Sequence, residues 1–246
     1  MSSETSDRLA VDQIPLAARP ATTPPPFPPA WALKVTMAIT GSVFVAFILV
    51  HLAGNLKVYI GAEDFNHYAE WLRHFLNPLI PGSGFLWAFR AVLVLSLVLH
   101  VYSGITLWFR ARRARGAHAR KFLLRRIGSR TMVWTGLIIL CFIVFHLLDL
   151  TVGKVVAAPG FNPDDAYSNL IHSFERPAVA LFYGLTMALI AVHVSHGIWS
   201  VINDLGGTGK RLRAVWFAVA GIVAVVTVVG NLSIPIAVQL GFLTVG

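Results

Sequence analysis

The fold of this chain follows from one stretch, KVTMAITGSVFVAFILVHLAGNL (residues 34–56), a long apolar run with a histidine, His51, inside it. Three further apolar runs each contain such a histidine: His100, His146 and His193. An imidazole in hydrocarbon needs a partner, because an unpaired polar group there costs several kcal/mol. Four such groups on four helices indicate a shared partner, and a metal macrocycle held between helices would satisfy two of them at once.

The composition is that of a membrane protein. The mean hydropathy is +0.70, and only 13% of the residues are charged, which excludes an ordinary soluble domain. The single cysteine, Cys141, leaves this sequence without a CxxCH motif for covalent haem attachment and without ligands for an iron–sulfur cluster. The net charge of +9 comes from Arg110–Arg130, where eight Arg and one Lys occur without an acidic residue. A basic run between apolar spans indicates a cytoplasmic loop, not a nucleic-acid-binding face.

Five apolar runs are long enough to cross about 30 Å of hydrocarbon as helices. They cover roughly residues 33–57, 85–109, 131–152, 178–202 and 214–240. The predicted fold class is therefore an all-α membrane protein with five transmembrane helices. We expect a Pro-rich cytoplasmic arm over residues 1–30 and a transmembrane dihaem cytochrome b domain over residues 31–246. The basic loops place the N-terminus in the cytoplasm and the C-terminus outside, and residues 63–76 predict an interfacial helix in the first outer loop.

Two sequence patterns recur and predict a duplicated two-helix unit. The first and third runs share a Thr-Gly pair followed after nine residues by His-Leu: Thr40-Gly41 with His51-Leu52, and Thr135-Gly136 with His146-Leu147. The second and fourth runs share His-x-x-x-Gly-Ile: His100 with Gly104-Ile105, and His193 with Gly197-Ile198. The first four spans would form the haem-binding bundle, and the fifth span has no counterpart.

Depth in the membrane pairs the histidines. His51 and His146 lie near the outer ends of their runs, whereas His100 and His193 lie in the inner halves of theirs. At about 1.5 Å per residue, the inner pair lies roughly 10–15 Å below the outer pair. We therefore expect two b haems, with His51 and His146 on the iron of the outer one and His100 and His193 on the iron of the inner one. Iron with two histidine ligands has no open position, which indicates electron transfer.

Glycines and one competing histidine accompany these ligands. Gly104 and Gly197 lie one turn beyond His100 and His193 on the same helix face, where a missing side chain admits a flat porphyrin or, alternatively, close helix packing. His196 competes with His193 as a ligand, but only His193 has a glycine four residues later, as His100 does.

Candidates for a quinone site lie at the outer end. Such a site needs a proton donor and a polar partner for the quinone carbonyls. Lys57, Glu70 and Asp149 fall near that depth, and so do Tyr59 and His67. Each of them also fits an ordinary interfacial position.

Two stretches carry a resemblance to a known family: residues 34–56, quoted above, and HVSHGIWSVINDLG (193–206). They resemble the cytochrome b subunit of succinate:quinone oxidoreductases and fumarate reductases, in the five-helix, two-haem type, over about residues 33–240. The resemblance implies a membrane anchor for a flavoprotein subunit and an iron–sulfur subunit on the cytoplasmic side. Electrons would pass from succinate through those subunits and two b haems to a quinone, with menaquinone frequent in this type. It also implies the same four histidine ligands.

Two other functions fit the same residues. A haem b anchor of a hydrogenase, formate dehydrogenase or nitrate reductase shares the cofactor and differs in its soluble partner. A small proton-coupled transporter would use the histidines as a proton relay without haem. If the chain is an anchor of any of these oxidoreductases, a partner subunit carries out the substrate chemistry. This sequence has no flavin-binding motif and no set of cysteines that could bind an iron–sulfur cluster.

Overall fold

The structure, a computed structural model, describes residues 27–115, 123–204, 206–207 and 209–245, and it is helical with connecting turns throughout. Most of the predicted N-terminal arm and residues 116–122 of the basic loop lie outside these ranges. Within these described ranges, seven α-helices follow in order: α1 Ala30–Asn55, α2 Ala62–His74, α3 Gly84–Arg115, α4 Leu123–Leu147, α5 Ala166–Phe174, α6 Pro177–Asp204 and α7 Lys210–Gln239. A 3₁₀ turn (Leu56–Tyr59) extends α1, and a π-helical turn (Leu148–Val152) extends α4.

Five helices in the described part of the chain are long and apolar enough to cross a membrane. The spans are Ala30–Tyr59, Gly84–Ala114, Thr131–Val152, Pro177–Asp204 and Lys210–Gln239. They match the predicted runs to within a few residues at most ends, so the prediction of an all-α membrane protein with five spans is confirmed. Most of their side chains are not buried within the chain, which fits helices whose outer faces meet lipid.

The spans pack as two hairpins and one additional helix. Helix α1 packs against α3, and α4 packs against α6, so each predicted two-helix unit is a pair of neighbours. Helix α7 packs along α6 and also contacts α1. Small residues permit these approaches, since a Cβ at Gly184 would lie 2.9 Å from Leu232 and one at Gly230 would lie 2.7 Å from Leu52.

Helices α2 and α5 contact each other and cover one end of the bundle, which we call the capped end. The Asn66 side chain donates to Asp165 and accepts from the Tyr167 backbone N–H, both at 2.9 Å. Arg73 pairs with Asp164 at 2.9 Å. The predicted outer-loop helix over 63–76 is thus present as α2, two residues shorter at its C-terminal end.

Asp165 caps the N-terminus of α5 by accepting a hydrogen bond from the Ser168 backbone N–H at 3.0 Å. Burial raises the pKa of this carboxyl group, but the hydrogen bonds from Ser168 and Asn66 outweigh burial and bring the pKa below its ordinary value. The Asp165 carboxylate therefore keeps its negative charge, and the positive N-terminal end of the α5 helix dipole stabilises that charge.

The π-helical turn after α4 places one carboxylate inside the protein. Asp149 is 1% exposed, and its Oδ1 accepts from Arg176 at 2.6 Å. Its Oδ2 accepts from the Ser173 hydroxyl at 2.5 Å and from the Tyr183 hydroxyl at 2.9 Å. An extra residue in the turn changes the direction of the side chains that follow. Asp149, which the sequence places among the interfacial candidates, is instead fully buried and hydrogen-bonded on both oxygens.

Replacing Arg176 with methionine should destabilise the fold by about 3 kcal/mol, because it leaves the buried Asp149 carboxylate without its cation. Arg73→Met is the matched control, since the Asp164 carboxylate that it would leave is 82% exposed. That loss should stay below about 1 kcal/mol. Thermal unfolding of the full-length protein in detergent measures both, and equal losses would contradict the burial of the Asp149 pair.

Replacing Gly153 with alanine should also destabilise the protein, for two separable reasons. Gly153 and Gly160 both have left-handed backbones, with φ of 68° and 82°. An alanine at either position costs about 1–2 kcal/mol. Of these two positions, only Gly153 would have its Cβ overlap a ring, that of Phe161, which adds about 1–3 kcal/mol. Gly160→Ala is therefore the control, and the difference between the two unfolding temperatures reports the Phe161 contact.

Candidate functional site

The structure brings the four histidines that the sequence predicts as haem ligands together in two pairs. The ring centres of His51 and His146 are 5.9 Å apart, and those of His100 and His193 are 6.4 Å apart. Each pair takes one histidine from the α1–α3 hairpin and one from the α4–α6 hairpin. These are the two pairs that depth along the helices predicts.

Two threonines orient the rings of His100 and His193, the pair that lies farther from the capped end and is called the deeper pair below. The Thr40 hydroxyl donates to the Thr36 carbonyl at 2.7 Å and lies 3.0 Å from His100 Nδ1. With its proton committed to that carbonyl, the hydroxyl accepts from His100, so the ring proton is on Nδ1. Nε2 then keeps its lone pair, which is the atom that a metal needs.

The second hairpin repeats this arrangement residue for residue. The Thr135 hydroxyl donates to the Thr131 carbonyl at 2.9 Å and lies 3.0 Å from His193 Nδ1. His193 therefore also presents a free Nε2. His196, its competitor in the sequence, makes no hydrogen bond with the described residues, which favours His193 as the oriented ring.

Glycines next to these threonines make room for the rings. A Cβ at Gly41 would lie 3.6 Å from His100 Cε1, and one at Gly136 would lie 3.4 Å from His193 Cε1. The imidazoles thus rest directly against the backbone of the neighbouring helix. Sequence reasoning used the Thr-Gly pairs only as markers of a repeat and missed their contact with the histidines.

The pair near the capped end is flanked by two phenylalanines. Phe47 stacks on His51 with ring centres 5.2 Å apart, and Phe142 stacks on His146 at 5.7 Å. Each phenylalanine precedes its histidine by one helical turn, a second recurring pattern that sequence reasoning did not single out. His146 Nδ1 lies 3.4 Å from the Tyr183 hydroxyl, whereas His51 has no hydrogen-bond partner within the described ranges.

The distances and the donor set fit a haem between the members of each pair. Metal–imidazole bonds are about 2 Å long, so two imidazoles on opposite sides of one metal have ring centres about 6 Å apart. None of the four rings is closed in, because His51 is exposed and the other three are half-buried. No group of three or more His, Cys, Asp or Glu converges in the part of the chain that the structure describes. Two ligands per site suit a group that supplies its other ligands itself, as a porphyrin does.

The two glycines predicted to admit a porphyrin are also open. No described atom outside its own helix backbone lies within 4 Å of a Cβ built at Gly197. At Gly104 the nearest such atom is Met37 Cε, at 3.9 Å. Close helix–helix packing, the alternative explanation for these glycines, is therefore not what the structure shows at either position.

The three quinone candidates have different surroundings. Lys57 Nζ lies 5.7 Å from the centre of the Tyr68 ring. Glu70 is exposed on α2, where it lines an open cavity of about 540 Å³ with residues that include His67 and Arg73. Asp149 does not line that cavity and has its oxygens occupied by three donors. The structure therefore does not bring the three candidates into one site.

The comparison with protein families agrees with this architecture. Residues 110–230 match the family described as the succinate dehydrogenase/fumarate reductase transmembrane subunit. The match includes α4, α6 and most of α7, with His146 and His193, but not α1, so it is narrower than the resemblance over residues 33–240. No curated protein and no solved structure matches the chain. By this match over just under half of its length, and by its five spans, the chain is similar to the transmembrane subunits that anchor the succinate dehydrogenase/fumarate reductase complex in the membrane.

Proposed function

We propose that the chain is the dihaem cytochrome b subunit of a succinate dehydrogenase. It passes electrons from an iron–sulfur subunit through two b haems to a membrane quinone, for which we propose menaquinone. The observation that carries this proposal is the pair of histidine–histidine contacts, with ring centres 5.9 and 6.4 Å apart. The family match over residues 110–230 favours this function over the anchors of hydrogenases, formate dehydrogenases and nitrate reductases.

The histidines hold the cofactors in this proposal. His51 and His146 bind the haem nearer the capped end, and His100 and His193 bind the other. When bound, the haems supply two one-electron carriers within the span of the bundle. Thr40 and Thr135 hold the Nδ1 protons of His100 and His193, which leaves Nε2 of each ring for the haem iron.

The end opposite the capped end faces the cytoplasm and the partner subunits. This orientation follows from the positive-inside rule and leaves the N-terminus inside and the C-terminus outside. The described side chains at that end include six basic residues, of which all but the first are exposed: Arg110, Arg112, Arg113, Lys210, Arg211 and Arg213. They provide a positive surface for acidic faces of the flavoprotein and iron–sulfur subunits or for anionic lipid headgroups.

The quinone site lies at the capped end in this proposal, near the haem of His51 and His146. Lys57 and Glu70 remain the candidates for contact with the quinone, because neither forms a hydrogen bond or an ion pair with the described residues and Glu70 lines the open cavity. Asp149 is less suited to contact, since its carboxylate already accepts from Ser173, Arg176 and Tyr183.

The first test is the haem content of histidine variants. The purified protein should contain two protohaems per chain by the pyridine haemochromogen assay. His100→Ala and His193→Ala should each remove one and the same haem, and His51→Ala and His146→Ala should each remove the other, because each variant would leave only one of the two histidines that hold that haem.

His196→Ala is the matched control and should keep both haems, because the neighbouring His193 is the ring that Thr135 orients. Loss of the same haem from His100→Ala and from His51→Ala would show that the pairing is wrong. A wild-type protein without protohaem would refute the cytochrome and leave the proton-relay transporter.

Co-purification tests the partner. A tagged chain extracted in mild detergent should recover a flavin-containing subunit and an iron–sulfur subunit, together with electron transfer from succinate to a quinone analogue. Recovery of a molybdenum or nickel enzyme instead would contradict the proposed complex.

A further inference from the structure

The two hairpins differ at one position beside the histidines of the capped end. Three residues after His146 the second hairpin has Asp149, and three residues after His51 the first hairpin has Gly54. A Cβ at Gly54 would lie 2.6 Å from the Tyr68 ring, so that ring occupies the space of a side chain there. Of these two histidines, His146 therefore has a buried carboxylate three residues further along its helix, and His51 has none at the equivalent described position.

A chain of hydrogen bonds joins that carboxylate to the His146 ring. Tyr183 donates its hydroxyl proton to Asp149 Oδ2 at 2.9 Å, and the Tyr183 hydroxyl oxygen lies 3.4 Å from His146 Nδ1. The Tyr183 proton is committed to the carboxylate, so the hydroxyl accepts from the imidazole N–H. Arg176 forms an ion pair with the other oxygen of this carboxylate, Asp149 Oδ1, at 2.6 Å.

The Tyr183 hydroxyl is not needed to satisfy Asp149. Arg176 already donates to Oδ1 and Ser173 to Oδ2, at 2.6 and 2.5 Å. The Tyr183 ring packs edge-on against three phenylalanines: Phe142, Phe145 and Phe174. A hydroxyl group in such an apolar setting costs free energy unless it is hydrogen-bonded, and this one spans the distance between Asp149 and His146.

We infer that Tyr183, held by the buried Asp149, is a positioning residue for His146. It fixes the ring with Nδ1–H toward the hydroxyl and Nε2 toward the space between the paired histidines. The Tyr183 hydroxyl donates its proton to the Asp149 carboxylate, so its oxygen is a stronger acceptor for the His146 Nδ1–H. That hydrogen bond in turn makes His146 a stronger electron donor through Nε2. This inference rests on the proposed role of His146 as a haem ligand.

The deeper pair provides the internal comparison. Thr40 and Thr135 donate to carbonyls of their own helices, so His100 and His193 are bonded to neutral groups. A stronger donor ligand favours the ferric state and lowers the reduction potential of the haem it binds. The Tyr183–Asp149 link thus acts on the haem at the capped end alone.

The test is Tyr183→Phe in the intact complex, because phenylalanine keeps the ring packing and removes only the hydroxyl. Spectroelectrochemical titration should show a higher midpoint potential for the capped-end haem and no shift for the other haem. The low-spin ferric EPR signal of the capped-end haem should change as well. The two components are assigned with His100→Ala, which retains only the capped-end haem, and with His51→Ala, which retains only the other.

Ser173→Ala is the matched control, since it removes a donor from the same carboxylate oxygen and leaves the Tyr183–His146 contact in place. It should leave both potentials where they are in the wild type. Asp149→Asn provides a second variant should Tyr183→Phe fail to assemble, and it should raise the same potential because it removes the charge but keeps an acceptor for Tyr183.

The outcomes separate the inference from the proposed function. Unchanged potential and EPR signal in Tyr183→Phe, with both haems bound, would overturn the positioning role and leave the cytochrome intact. An equal shift in Ser173→Ala would overturn it too, because the effect would then belong to the carboxylate's surroundings. A wild-type protein without haem would instead refute the proposed function.

Discussion

An imidazole N–H inside a membrane-spanning bundle can be hydrogen-bonded only by an acceptor within the bundle, because the hydrocarbon offers none. For three of the four paired histidines, a side-chain hydroxyl lies within hydrogen-bonding distance of Nδ1: Thr40, Thr135 and Tyr183. Each hydroxyl gives its own proton elsewhere, so the histidine is the donor and its Nε2 is left with a lone pair. The direction of these few hydrogen bonds decides which atoms of the paired rings are available to a metal.

Much of this architecture could be predicted from the sequence. The spans follow from apolar runs of about 20 residues or more, a length that few other structures require. The pairing of His51 with His146 and of His100 with His193 follows from alternating helix direction and a constant rise per residue. These arguments use only position along a helix, which is why the structure reproduces them. Ligation of haem by these residues stays a prediction.

The surroundings of the histidines could not be predicted in the same way. Extending the register of an α-helix beyond His146 predicts Asp149 near the membrane surface, but the π-helical turn at Leu148–Val152 breaks that register. Its partners Ser173, Arg176 and Tyr183 come from the next segments of the chain, and no periodicity connects them with it. The contacts of Thr40 and Thr135 with histidines on a neighbouring helix depend likewise on how two helices face each other.

The division of contacts between the hairpins bears on how the bundle is assembled. The bond between Thr40 and His100 lies wholly within the α1–α3 hairpin, and the bond between Thr135 and His193 lies wholly within the α4–α6 hairpin. Each hairpin can therefore orient its deeper histidine as soon as its own two helices have inserted and paired. Both histidine pairs, by contrast, form only between hairpins. Binding of a group within them must follow the docking of the two halves, and once bound it would fasten those halves together.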